Sequence, residues 1–288
     1  MHRLSLAVVA ALVAALVAVS LSSAAHQQAR ATHRYPHRII SLSPTVTEDL
    51  FAIGAGKQVV AVDNQSNYPK RAPRTTLSGY SPNVEAIASY NPDLVVISYN
   101  PTNFASQLRG LGIKVVNEVA ATNLRQAYGE ILQLGRLTGH DRGAKAVVRS
   151  MRRHLAEIVA SVPATRRHLR VYHELDPTYY SATSNTFVGS IYKLFGFRDI
   201  ADGAGGTGDG YPQLSGEYII AKDPQIIVLA DTRCCGQSYA TVAARPGWST
   251  ISAVQRHRVF AANDDVASRW GPRIVQFART VARIAKQG

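Results

Sequence analysis

Apolar residues recur along residues 141–162 at spacings of three and four: Ala144, Val147, Val148, Met151, Leu155, Ile158, Val159 and Val162. Arg142, Lys145, Arg149, Arg152, Arg153 and Glu157 take the other side. That pattern predicts an amphipathic helix ~33 Å long, with one buried stripe and one wet one. Asp141 follows a Gly139-His140 break and is placed to cap the helix, and Pro163 stops it. Chain of similar length and texture lies on either side, so the helix reads as a strut between two lobes. The alternative is an ordinary packing helix inside one domain.

Before the strut, short apolar runs alternate with helical stretches. Ile39-Ile40-Ser41-Leu42 predicts a strand closed by Ser43-Pro44, and Thr47 is placed to cap a helix that runs to Gly54. Residues 59–62 predict a second strand, 83–89 a short helix, and 93–97, continuously apolar after Asp93, a strand buried on both faces of a parallel sheet. A helix at 103–111, a strand at 114–116 and a helix at 124–137 follow. After Pro163 the order restarts: a strand at 169–173, a helix at 187–195, a helix opened by Ser215-Gly216-Glu217, an apolar strand at 225–229, and a last helix at 272–285.

The halves also share an internal echo. Glu85 is followed two positions later by Ile87 and seven positions later by Pro92, just before a buried strand, and Glu217, Ile219 and Pro224 repeat that spacing. In each, proline breaks a short helix ahead of the strand. The expected fold class is α/β: two parallel-sheet lobes with flanking helices joined by one long α-helix. The expected boundaries are 37–140 for the N-terminal lobe, 141–162 for the inter-lobe helix and 163–288 for the C-terminal lobe.

Composition changes the picture at three points. Residues 1–31 combine a basic start, an apolar run over 4–21 and small residues after it, which predicts an export signal or, alternatively, a membrane anchor. No cysteine stands there to carry a lipid. The only cysteines, Cys234 and Cys235, are adjacent, so they form either a vicinal disulfide or two free thiols and cannot join distant segments. The net charge of +13 favours anionic surroundings or an anionic ligand. No dense basic run interleaved with aromatics accompanies it, which argues against a nucleic-acid partner.

Candidate chemistry is sparse. Gly203, Gly205 and Gly208 fit the spacing of a dinucleotide fingerprint, but no helix can grow from Asp209-Gly210-Tyr211-Pro212. His173, Glu174 and Asp176 are the best local metal-like cluster, yet the successive residues His173 and Glu174 of a strand face opposite ways, so no metal site is expected. There is no nucleophile elbow, and no catalytic residue is assigned. What does recur is aromatic residues at strand-ending loops: Tyr68, Tyr80, Tyr99, Tyr179, Tyr180, Tyr211 and Trp270. Ligands of open parallel sheets sit beyond the carboxyl ends of strands, so such loops from two facing lobes would line one cleft for a large, flat ligand. Arg269-Trp270-Gly271-Pro272-Arg273 adds two guanidiniums beside an indole, a set able to hold carboxylates or phosphates while stacking on a ring.

Five segments carry a resemblance: Arg38-Ile-Ile-Ser-Leu-Ser-Pro-Thr-Val-Thr-Glu48, Asn67-Tyr-Pro69, Asn83-Val-Glu-Ala-Ile87 with Pro92-Asp-Leu-Val-Val96, Leu214-Ser-Gly-Glu217 with Pro224-Gln-Ile-Ile-Val228, and Gly271-Pro-Arg-Ile274. In order and spacing they resemble the family of periplasmic proteins that bind vitamin B12, ferric siderophores or haem for ABC importers. The likeness covers nearly everything after Pro36. It implies two α/β lobes joined by a long helix, a rather rigid cleft, a bulky small-molecule ligand, a membrane permease as partner, no cofactor and no catalysis.

Residue by residue, the resemblance implies that Glu85 and Glu217 dock the permease and that Ser43-Pro44 and Tyr68 face the ligand. Tyr80 and Tyr99 would keep an aromatic surface where the B12 binders have tryptophans. Cys234-Cys235-Gly236 and Arg269-Trp270 depart from the B12 pattern and lean towards an anionic chelate or carboxylated macrocycle. The expected ligand-binding set is therefore Ser43, Pro44, Tyr68, Tyr80, Tyr99, Tyr211, Arg269, Trp270 and Arg273 in an exported monomer. The alternatives are a metal-ion-binding solute receptor and an envelope scaffold that keeps the fold without transport.

Overall fold

The computed structural model describes residues 35–166, 168–205 and 208–287, so the segment read as an export signal or anchor lies outside the described residues. The first lobe runs β1 (Ile39–Leu42), α1 (Pro44–Ile53), β2 (Val59–Val62), α2 (Val84–Ala88), β3 (Leu94–Ile97), α3 (Phe104–Gly110) and β4 (Lys114–Asn117). Helices α4 (Leu124–Thr138) and α5 (Asp141–Ala160) lead out of it. The second lobe contains β5 (Arg170–Glu174), α6 (Phe187–Leu194), β6 (Arg198–Asp199), α7 (Gly216–Lys222), β7 (Ile226–Leu229), α8 (Thr232–Cys235), α9 (Tyr239–Ala243), α10 (Ser252–Gln255) and β8 (Val259–Ala261). Helices α11 (Asp264–Ala267) and α12 (Ile274–Gln287) close the chain.

Each sheet has four parallel strands, in the orders β2-β1-β3-β4 and β6-β5-β7-β8. Counted within each lobe the two orders are the same. The internal echo is thus a repeated topology, with Glu85 and Glu217 at the second position of α2 and α7. Asn83 caps α2 by accepting from the Ala86 amide at 2.7 Å, and Ser215 caps α7 by accepting from the Tyr218 amide at 3.1 Å.

Strand residues alternate between two cores, as the period of two requires. Ile40, Leu42, Val95 and Ile97 fill a core private to the first lobe, and Tyr172, Ile227 and Leu229 one private to the second. Ile39, Leu94 and Val96 together with Val171, Ile226 and Val228 enter a third core shared by both lobes. The stripe Ala144, Val148, Met151 and Leu155 of α5 joins this shared core, beside Leu50 of α1, Ile131 of α4 and Phe277 of α12. At ~1.5–3 kcal/mol for each fully buried large aliphatic side chain, this layer is the main adhesive between the lobes.

The structure corrects several expectations. The long helix joins the two lobes from within a helical layer whose core runs through both. A methyl group at Gly143 would meet the Ile53 carbonyl, and one at Gly135 the Ala144 methyl, so glycine permits the close approach of α5 to α1 and α4. The helix ends at Ala160, because a residue before Pro163 is biased away from helical backbone. His140, rather than Asp141, is its N-cap residue. Helix α1 begins at Pro44 with Ser43 as its side-chain cap, leaving Thr47 inside the helix, where its hydroxyl bonds Ser41 Oγ at 2.9 Å and Ser66 Oγ at 2.8 Å. Edge strands β6 and β8, two and three residues long, were too short for any periodicity to mark. Among the described residues no helix is long and apolar enough to cross a membrane.

Candidate functional site

The carboxyl ends of β1, β2 and β3 and the segment after α11 enclose a cavity of about 590 Å³. Ser43, Pro44, Tyr80, Tyr99, Arg269 and Trp270 line it, together with Asp63 and Gln65. The sheet order places β1 and β3 side by side with their outgoing chains diverging, the crevice where open α/β sheets hold ligands. Tyr80 and Tyr99 stack on one another, centroids 5.4 Å apart and planes 14° from parallel. They are 79% and 50% exposed, so the pair presents a large unfilled aromatic face.

Local chemistry fixes that face. Ser78 Oγ accepts from the amides of Tyr80 and Ser81 at 3.2 and 2.9 Å, which folds the loop into a tight turn. Any side chain at Gly79 would strike the Leu42 carbonyl and the Asp63 carboxylate, so only glycine lets this loop lie on the end of β1. Asp63 is itself buried and accepts from the Ser66 amide at 2.8 Å; burial raises its pKa above the ordinary value.

Arg269 and Arg273 do not stand free in the cavity. Arg269 is buried and donates to Glu48 at 2.8 Å, Asn67 Oδ1 at 2.9 Å, Asp265 at 2.9 Å and the Gln65 carbonyl at 3.2 Å. Arg273 donates through Nε to Glu48 Oε2 at 2.8 Å and through Nη2 to Glu48 Oε1 at 2.5 Å. The Trp270 indole N–H donates to Glu130 at 2.7 Å. Three residues expected to hold an anionic ligand thus fasten the C-terminal segment to carboxylates of α1 and α4. Nearby acids respond to burial: Glu118 and Glu130 are pushed up to about 7, and Asp49 well above its ordinary value, with neighbouring carboxylates adding to the rise for Asp49 and Glu118.

The remaining expected residues separate. Tyr68 lies under Arg273, its ring centroid 4.3 Å from the guanidinium, and both line a groove beside α5 that shares no residue with the front cavity. Tyr211 lines a smaller hollow of about 290 Å³ with Thr122 and Asp202. Glu85 and Glu217 are exposed at the starts of their short helices. Cys234 and Cys235 are joined as a vicinal disulfide in α8, held by the Asp264 carboxylate, which accepts from the Arg233 and Cys234 amides at 2.9 and 3.1 Å. His173 is fully buried beside Tyr192, its Nδ1 2.7 Å from the phenolic oxygen, and burial lowers its pKa to about 4.

One arrangement had no sequence signal. Glu174, at the end of β5, is fully buried and receives both arms of Arg245, at 2.6 and 2.7 Å. The guanidinium lies 4.5 Å from the Trp248 ring and 5.1 Å from that of Tyr179. Asp231 beside it is pushed up to about 7 by burial and by the Glu174 charge. Seventy-one positions separate the partners, so no local spacing could have linked them.

The family model described as "Periplasmic binding protein" matches residues 39–266. A cobalamin-binding protein of Halobacterium salinarum is 33% identical, over 84% of this chain and 67% of its own. An uncharacterised ABC transporter substrate-binding lipoprotein of Bacillus subtilis is 30% identical, over 86% of this chain and 79% of its own. The crystal structure of the periplasmic vitamin B12 binding protein of Vibrio cholerae superposes with a TM-score of 0.71 at 25% identity, covering 88% of this chain and 99% of that one.

Proposed function

The chain belongs to the periplasmic binding protein family, and from that premise we propose that it is the extracytoplasmic solute-binding protein of an ABC importer, with a corrinoid such as cobalamin as its ligand. The observation that carries the ligand class is the stacked, solvent-facing Tyr80–Tyr99 pair at the rim of a cavity of about 590 Å³. Such a face suits a broad, flat ligand, and the cavity is of the size small-molecule sites occupy. The relatives named for cobalamin and vitamin B12 support this choice. Haem, which also offers a flat macrocycle, and ferric siderophores are the competing ligands. The chain performs no covalent chemistry in this reading and works as a monomer.

Delivery to a permease follows from the two exposed carboxylates. Glu85 and Glu217 occupy equivalent positions in the two lobes, and neither side chain is engaged in an ion pair or hydrogen bond among the described residues. Two separated charges on a two-lobed body fix orientation and register against a complementary basic surface. Their position at helix starts also favours the helix dipole, so the same charges serve folding and docking.

Isothermal titration of the mature protein with cyanocobalamin, haemin and a ferric hydroxamate tests the assignment. Saturable one-to-one binding of the corrinoid, at least tenfold tighter than the other two, is the expected result. Preference for haemin or for the hydroxamate would move the ligand to that class, and no binding of any of them would end the reading.

A further inference from the structure

The groove beside α5 is unused by the reading above. It holds about 400 Å³ between α1, α5 and the start of α12. Phe51, Val147, Met151 and Val275 give it an apolar floor, and Tyr68 a half-exposed aromatic wall. Its charged lining is three arginines, Arg71, Arg273 and Arg279, against the single carboxylate Glu48, with His154 beside them. Glu48 already pairs with Arg273 and Arg269. Arg71 lies 5.3 Å from the Phe51 centroid, and neither it nor Arg279 pairs with a carboxylate among the described residues. An apolar trough flanked by two uncompensated guanidiniums is complementary to a molecule with an apolar body and an anionic head.

We propose that this groove is a second ligand site, for a small amphipathic anion: an aromatic or branched apolar body bearing a carboxylate, sulfonate or phosphate. The body lies between Phe51 and Tyr68 over Met151, and the head meets Arg71 and Arg279. Glu48 bridges the groove to the front cavity, since the carboxylate that binds Arg273 also binds Arg269. The site does not depend on the identity of the front ligand.

The sequence supplies its own reporter, because Met1 and Met151 are its only methionines. Protein labelled with ¹³C-methyl methionine is titrated with 1-anilinonaphthalene-8-sulfonate, followed by the Met151 methyl resonance and by probe fluorescence, with the uncharged N-phenyl-1-naphthylamine in parallel. The expected result is a saturable Met151 shift that tracks the fluorescence, at least tenfold weaker for the uncharged probe and for the Arg71→Gln/Arg279→Gln double variant. Arg71→Lys/Arg279→Lys retains binding, and Tyr80→Ala, in the front cavity, leaves it unchanged. Thermal melting confirms that each variant is folded. A Met151 resonance that stays fixed while the probe saturates, or that shifts equally in the Gln double variant, overturns the site.

Discussion

The two lobes have the same strand order but treat the carboxyl ends of their sheets in opposite ways. In the first, Tyr80 and Tyr99 stack on each other and face solvent over an open cavity. In the second, Tyr179 and Trp248 turn inward and cover the guanidinium of Arg245, which neutralises the buried Glu174. Both ends hold a buried carboxylate under arginine: Glu174 is served from its own lobe, whereas Glu48 is served by Arg269 and Arg273 from the far end of the chain. A repeated topology therefore does not make a symmetric site. One rim presents a stacked aromatic pair to solvent, in the other Arg245, Tyr179 and Trp248 pack around Glu174, and the Glu48 arginines join the halves.

The comparison can be broken most sharply at the second rim. Arg245→Met leaves the buried Glu174 without its cation and is expected to cost ~3–5 kcal/mol of unfolding free energy, read from the urea midpoint. Loss of less than about 1 kcal/mol would show that the inward-facing rim is not structural. The matching change at the first rim, Tyr80→Ala with Tyr99→Ala, should shift stability by no more than ~0.5 kcal/mol for each exposed ring, while weakening ligand binding at least tenfold. A double variant that binds as tightly as the parent would remove the first rim from recognition.

A smaller effect belongs to the seam between the halves. Glu118 and Glu130 are held at about 7 in the folded protein against an ordinary 4.5, so between those values the folded state keeps protons that the unfolded chain has released. Their contribution favours folding most below about 4.5 and is lost as pH rises towards 7. Glu118→Gln should flatten the fall in urea midpoint between pH 5 and pH 8, and an unchanged slope would count against this source. Asp49, whose pKa burial also raises, shares the seam and adds in the same direction. The smallest change is expected at Glu85→Gln and Glu217→Gln: stability within ~1 kcal/mol and unaltered ligand affinity, with reduced transport in reconstituted vesicles.

Much of the fold was legible because it rests on short-range rules. Continuous apolar runs after Pro92 and Pro224 mark central strands, and the spacing of Ala144, Val148, Met151 and Leu155 marks the long helix. Edge strands β6 and β8 were not legible, being too short to carry a period. At the cavity, the loop aromatics Tyr80 and Tyr99 stand out in the sequence because they need no distant partner to be noticed. The pairing of Arg269 and Arg273 with Glu48 leaves no local signal, because the carboxylate lies 221 and 225 positions away. Tyr68 went to the other groove for a related reason: its loop follows β2, but Arg273 draws its ring to α12. Long-range charge pairing decides these positions, and no local pattern encodes it.

In the proposed function the ligand meets the first rim rather than both. Hydrogen–deuterium exchange of the protein with and without saturating cyanocobalamin reads this directly. The predicted result is protection of residues 78–80, 98–99 and 265–270 with no change at 239–250. Equal protection of 239–250, or protection confined to that stretch, would contradict it.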